Sequence, residues 1–167
     1  MGNGRQTGRA SGLGPSSGRI VRADGLVATR WQNDGGWTRE IHREPAVGDP
    51  VRTAWRLSLA TIDRTGPFSV LPGVRRHFLL ASRTSLTLSI DGVVRDLRHA
   101  DGAVFNGDAA VHVEALSGTC LALNLMTGSG VEGRFEVADL AGPAMFTQLD
   151  TAASSCSPGR SPSPERR

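Results

Sequence analysis

The stretch Leu86–Leu97, LTLSIDGVVRDL, decides the fold class. Leu86, Leu88 and Ile90 alternate with Thr87 and Ser89, which puts one set on each face of a strand because successive strand side chains point to opposite sides. Asp91-Gly92 then supplies the positive φ angles that a two-residue hairpin turn demands, and Val93, Val94 and Leu97 form the returning strand. The same pattern repeats outward from this hairpin. Val111, Val113 and Ala115 alternate with His112 and Glu114, and a Ser117-Gly118 turn leads into Leu121, Leu123 and Leu125. On the N-terminal side Trp55, Leu57 and Leu59 alternate with Arg56, Ser58 and Ala60. Helical spacing is almost absent, and short strands broken by Gly-containing turns predict an all-β sandwich or small barrel.

A chain of 167 residues has room for one core. Its composition divides it into a Gly/Ser/Arg head over 1–19, a domain over 20–150 and a Ser/Pro tail over 151–167, with both tails expected to be disordered. The sequence pI of about 10.0 invites a nucleic-acid reading. The basic excess, however, sits in the tails: Arg5, Arg9 and Arg19 stand without an acid, and Arg160, Arg166 and Arg167 stand against Glu165. Between Ile20 and Asp150 there are thirteen arginines and fifteen acids, so no nucleic-acid partner is expected of the folded part. Cys120 in an apolar run and Cys156 in the tail suggest neither a disulfide framework nor a thiolate metal site, which fits a reducing compartment. No apolar stretch reaches the roughly twenty residues of a membrane span, and the head lacks the apolar core of a secretory signal. The expected location is the cytoplasm, with no membrane partner.

Three motifs then carry a family resemblance. WQNDGGWTREI from Trp31, WRLSLATIDRTGPFSVLPGVRR from Trp55, and NLMT from Asn124 preceded by FNGD from Phe105 resemble, in order and spacing, the HutD/Ves family. Two positions depart from its pattern, Gln32 for a lysine and Asp34 for a glycine. The resemblance runs from about Ile20 to Gly130. It implies a cupin-like double-stranded β-helix, a jelly-roll barrel of the RmlC type, which in the family is built as two related halves in one chain. The motifs stop after Met126 and Thr127, so the second half is expected to be truncated. The resemblance also implies a role in sensing or buffering intermediates of histidine utilisation, or in a stress response, and attaches no enzymatic activity. A half-barrel without its companion is expected to form a homodimer by pairing edges around Leu121–Leu125.

Candidate site residues follow from chemistry and from the motifs together. Around Asn33, Gly35 and Gly36, glycines allow close backbone approach, and Thr38 and Glu40 fall on one face of the next strand with a hydroxyl and a carboxylate to orient a ligand. The alternative for this loop is a plain tight turn. Arg56 and Ser58 face either solvent or a barrel cavity. Inside a cavity Arg56 needs Glu40 or a ligand carboxylate as its partner. Arg75, Arg76 and His77 follow the Pro72-Gly73 turn, and at most two of them share a direction; they are candidates for anion recognition or are solvated turn charges. Asn124 and Met126 lie opposite the leucines of their strand, where a buried Asn must find partners in a loop or a ligand. Phe68 and Phe105 read as core, and Asp108 as a turn. Metal-binding cupins use a His-x-His pair, a Glu and a later His. His42, His77, His99 and His112 include no such pair, and His112 with Glu114 is only a two-ligand fragment, so neither a metal nor another cofactor is expected. The function expected from the sequence is a non-catalytic binder of a small carboxylated metabolite. A metal-dependent isomerase or dioxygenase and a domain acting through protein contacts are the alternatives.

Overall fold

The computed structural model describes residues 21–32 and 34–137; the two expected tails and Asn33 lie outside the described residues. A short 3-10 turn at Ala23–Gly25 is followed by ten strands: β1 (Ala28–Arg30), β2 (Gly36–Ala46), β3 (Asp49–Ile62), β4 (Gly66–Pro67), β5 (Val74–Leu80), β6 (Leu86–Ile90), β7 (Val93–Leu97), β8 (Gly102–Asn106), β9 (Val111–Leu116) and β10 (Cys120–Gly128). They form a six-stranded sheet in the order β1-β2-β3-β10-β5-β8 and a four-stranded sheet in the order β4-β9-β6-β7. Every pairing is antiparallel. The hairpin of the deciding stretch is present, with Asp91 and Gly92 at φ 49 and 80° between β6 and β7. The Ser117-Gly118 turn has a different use. It carries the chain from β9 in one sheet to β10 in the other.

The core lies between the sheets. Ile62, Phe78, Leu80 and Ala122 from the large sheet meet Leu86, Leu88, Val111 and Val113 from the small one. The chain therefore covers the inner face of its large sheet with strands of its own.

Which residues face inward on β3 and β10 reverses the simplest hydrophobic reading. The inward residues of β3 are Arg56, Ser58, Ala60 and Ile62, with Ser58, Ala60 and Ile62 at most 2% exposed. Those of β10 are Met126, Asn124, Ala122 and Cys120. The leucines Leu57, Leu59, Leu123 and Leu125 and Trp55 face outward and are half-buried. Polarity is thus graded along the inner face, from apolar at the Ile62/Cys120 end to charged at the Arg56/Met126 end. One end of the sandwich is dry core, and the other is free to hold a polar cavity.

The dimer expectation changes here. β10 is bonded to β3 on one side and to β5 on the other, so it has no free edge to offer a second copy. Only its outward face is available, and part of that face is already taken. Residues 131–137 form no strand and fold back over it, with Gly133 so close to Leu125 and Thr127 that an added Cβ would lie 2.7 and 3.0 Å from their side chains.

Candidate functional site

At the polar end the two sheets part around a cleft of about 1020 Å³. Its floor is the inner face of β2, β3, β10 and β5, and its walls are the 25–32 segment and the 68–71 loop. The strand register sets the floor in rows. One row runs Arg43, Arg56, Met126 and Arg76, and the next runs Glu40, Ser58, Asn124 and Phe78. Neighbouring strands lie about 4.8 Å apart, so Arg56 and Arg76 flank Met126 with their Cα atoms about 10 Å apart.

A bulge in β2 makes the first two columns of this array compatible. Glu40 pairs with Ser58 but His42 pairs with Leu57, so Ile41 is an extra residue. It brings Glu40 and Arg43, three apart in sequence, to the same face. They bind each other at 3.0–3.3 Å on the exposed rim. Arg30, the other rim arginine, holds Asp34 at 2.7 Å, and its guanidinium keeps the exposed Asp34 carboxyl below the ordinary carboxylate range. Trp31 is fixed by its indole N–H donating to Thr38 Oγ1 at 2.7 Å and stands edge-on to Phe68.

Arg76 lies at the bottom, only 6% exposed. Its guanidinium is sandwiched between Phe68 and Phe105, at 4.9 and 5.2 Å from the ring centroids, a favourable cation–π geometry. It donates to the Ser69 carbonyl at 3.3 Å and to Asn124 Oδ1 at 3.4 Å, while its buried Nε has no partner among the described residues. Burial, and after it the charge of Arg56, pushes its pKa down to about 10, so it is still a cation at neutral pH. Half-buried Arg56 donates to Met126 Sδ at 3.1 Å, not to Glu40. Its pKa is lowered by burial and by Arg43, and Glu40 only partly opposes this.

Of the residues expected from sequence, Thr38, Glu40, Arg56, Ser58, Arg76, Asn124 and Met126 come together around the cleft. Strand alternation separates Arg76 from its neighbours. Arg75 is exposed on the outer face, and His77 is buried there with no partner for Nε2 among the described residues. Gly35 and Gly36 do not line the cleft. A Cβ on Gly36 would sit 2.1 Å from the Thr61 carbonyl oxygen, so this glycine lets β2 approach β3. Sequence reasoning missed Arg30, Trp31, Arg43 and the 68–71 loop. The loop's signal was in the Gly-Pro-Phe-Ser and Phe-Asn-Gly-Asp motifs: the Leu71 N–H donates to the Gly107 carbonyl at 2.6 Å, and a Cβ on Gly107 would collide with the Leu71 carbonyl at 2.0 Å.

The metal chemistry of some barrels of this shape finds no fit in these side chains. None of the four histidines lines the cleft. His112 and Glu114, 3.4 Å apart, point outward from the small sheet, and among the described residues no three His, Cys, Asp or Glu side chains converge.

The family model for HutD matches residues 23–156. The chain belongs to the HutD family. The match runs past Gly130, where the motif resemblance stops. An uncharacterized 21.2 kDa protein in the hutC 3' region of Pseudomonas putida is 33% identical over 110 residues, 65% of this chain and 57% of that protein. Protein Ves of Citrobacter koseri is 32% identical over 58% of this chain and 51% of its own length. The structure of HutD from Pseudomonas fluorescens SBW25 superposes with a TM-score of 0.60 at 32% identity, covering 66% of this chain and 60% of that one. The chain thus spans between half and two thirds of the length of these relatives. The Schizosaccharomyces pombe Cnp3 cupin domain, at 4% identity and a TM-score of 0.52 over 66% of this chain and 74% of that one, shares the fold alone. The fold is a cupin-like jelly roll.

Proposed function

We propose that this HutD-family chain is a non-catalytic, cytoplasmic binder of a small carboxylated metabolite, and that it regulates or buffers amino-acid utilisation, such as that of histidine, or a stress response by being occupied or empty. One observation carries the reading: Arg76 is buried at the bottom of a cleft without an acidic partner among the described residues. A buried cation is costly unless paired, and a guanidinium presents a planar fork of donors that matches a carboxylate. Asn124 and Phe68 hold the guanidinium in place before any ligand arrives. Ser58 and Thr38 add hydroxyls, and because the Thr38 oxygen already accepts from Trp31, its hydrogen remains available for donation.

The test is a thermal-shift screen of carboxylated intermediates of amino-acid degradation. A compound present at a hundred times its Kd stabilises the native state by about 2.7 kcal/mol, which raises the melting temperature by roughly 10 °C for a domain of this size. The reading is wrong if no carboxylate shifts the wild type, or if the shift survives in Arg76→Ala.

A further inference from the structure

The cleft holds more positive charge than its own carboxylates neutralise. Among the described residues four arginines line it, Arg30, Arg43, Arg56 and Arg76, and Glu40 is the only acid. Glu40 is engaged by Arg43, and Arg30 is engaged by Asp34 just outside. Arg56 and Arg76 are left over. Among the described residues neither forms an ion pair, and their contacts are with a thioether, a backbone carbonyl and a side-chain amide oxygen, all neutral.

Placement adds to the count. The two arginines sit on either side of Met126 in one row of the floor, and Arg56 leans over Met126 to bond its sulfur. Arg76 is clamped between its two phenyl rings, with one edge bonded to Ser69 and Asn124. The two side chains therefore start from opposite sides of Met126 and lie at different depths, Arg56 half-buried and Arg76 buried. A single carboxylate on Arg76 leaves Arg56 uncompensated in a partly dehydrated place, where interactions between charges are several times stronger than in water.

We propose that the ligand of this cleft is a dianion, a small dicarboxylate with one carboxylate on Arg76 at the bottom and the other on Arg56 nearer the mouth. The proposal rests on reading the cleft as the ligand site and adds the charge and spacing of the occupant. Ser58 and Asn124, one row away, face the chain that joins the two carboxylates and recognise a polar substituent on it.

Titration calorimetry at pH 7 and fixed ionic strength tests this with acetate, butyrate and valerate against succinate, glutarate and adipate. The expected result is that at least one dicarboxylate binds ten-fold or more tightly than the monocarboxylate of equal carbon number. Arg56→Gln then reduces that dicarboxylate to the affinity of its monocarboxylate while leaving monocarboxylate binding in place. Arg56→Lys, which keeps the charge, retains part of the difference. If mono- and dicarboxylates bind equally, or if Arg56→Gln weakens both to the same extent, one carboxylate bridges the two arginines and the dianion is wrong. If no carboxylate of either kind binds, the underlying reading of the cleft as a carboxylate site fails with it.

Discussion

Arg56 and His77 show how much of a site one residue's direction settles. From sequence, Arg56 faces either solvent or a cavity, because alternation separates two faces without saying which is inner. The leucines opposite it invite the wrong choice, since they are more apolar than the set that actually faces the core. Packing decides: Ile62 and Ala60 meet the small sheet, and Arg56 and Ser58 follow them inward. His77 shows the same limit from the other side. It is 7% exposed on the outer side of β5, and burial, reinforced by the charge of Arg75, holds its pKa below 6.5. A group with a depressed folded pKa binds protons more readily in the unfolded chain. Stability then rises with pH across the window between the folded value and 6.5, and is lost as pH falls through it. The melting temperature of the wild type is therefore expected to drop between pH 7 and pH 5 more steeply than that of His77→Phe. Parallel profiles in the two proteins would show that His77 is not the titrating group.

At the level of elements, strands β3, β6, β7, β9 and β10 and the β6–β7 hairpin were legible because period-two alternation and Asp-Gly turn chemistry are local. Three features were not. The bulge at Ile41, which aligns Glu40 with Arg43, is a property of the pairing between β2 and β3 and leaves no mark in β2 alone. The crossing from β9 to β10 looks like any hairpin turn until both sheets are known. The 68–71 wall depends on Gly107, far along the chain, whose missing Cβ makes room for Leu71. The motif resemblance did mark the segments holding these residues. It could not say that Gly36 and Gly107 serve close packing of backbone and not contact with a ligand.

For the whole molecule, the sandwich closes its own core, yet the outward face of its large sheet is unusually apolar. Leu57, Leu59, Leu123 and Leu125 are half-buried there, and Leu121 is 38% exposed. Antiparallel sheets with one wet face ordinarily carry polar residues on it. The homodimer expected from sequence is proposed on this face, not through a β10 edge, and sedimentation velocity at micromolar concentration decides it: a dimer that Leu121→Glu dissociates supports face-to-face association, and a monomer over the whole range rules it out. On the inward face, the proposal is that a binding site has been kept at a cost to the fold. Replacing even a buried ion pair by apolar side chains of similar size is often neutral to stabilising, and Arg76 has no acid to lose among the described residues, while the same change removes the carboxylate's partner. The direct measurement is the melting of wild type and Arg76→Met at pH 7, each with and without millimolar glutarate. Ligand-free Arg76→Met is expected to be at least as stable as wild type, by on the order of 1 kcal/mol, and only the wild type is expected to gain stability from glutarate. A variant that melts well below wild type, or one that keeps the full glutarate shift, would contradict it.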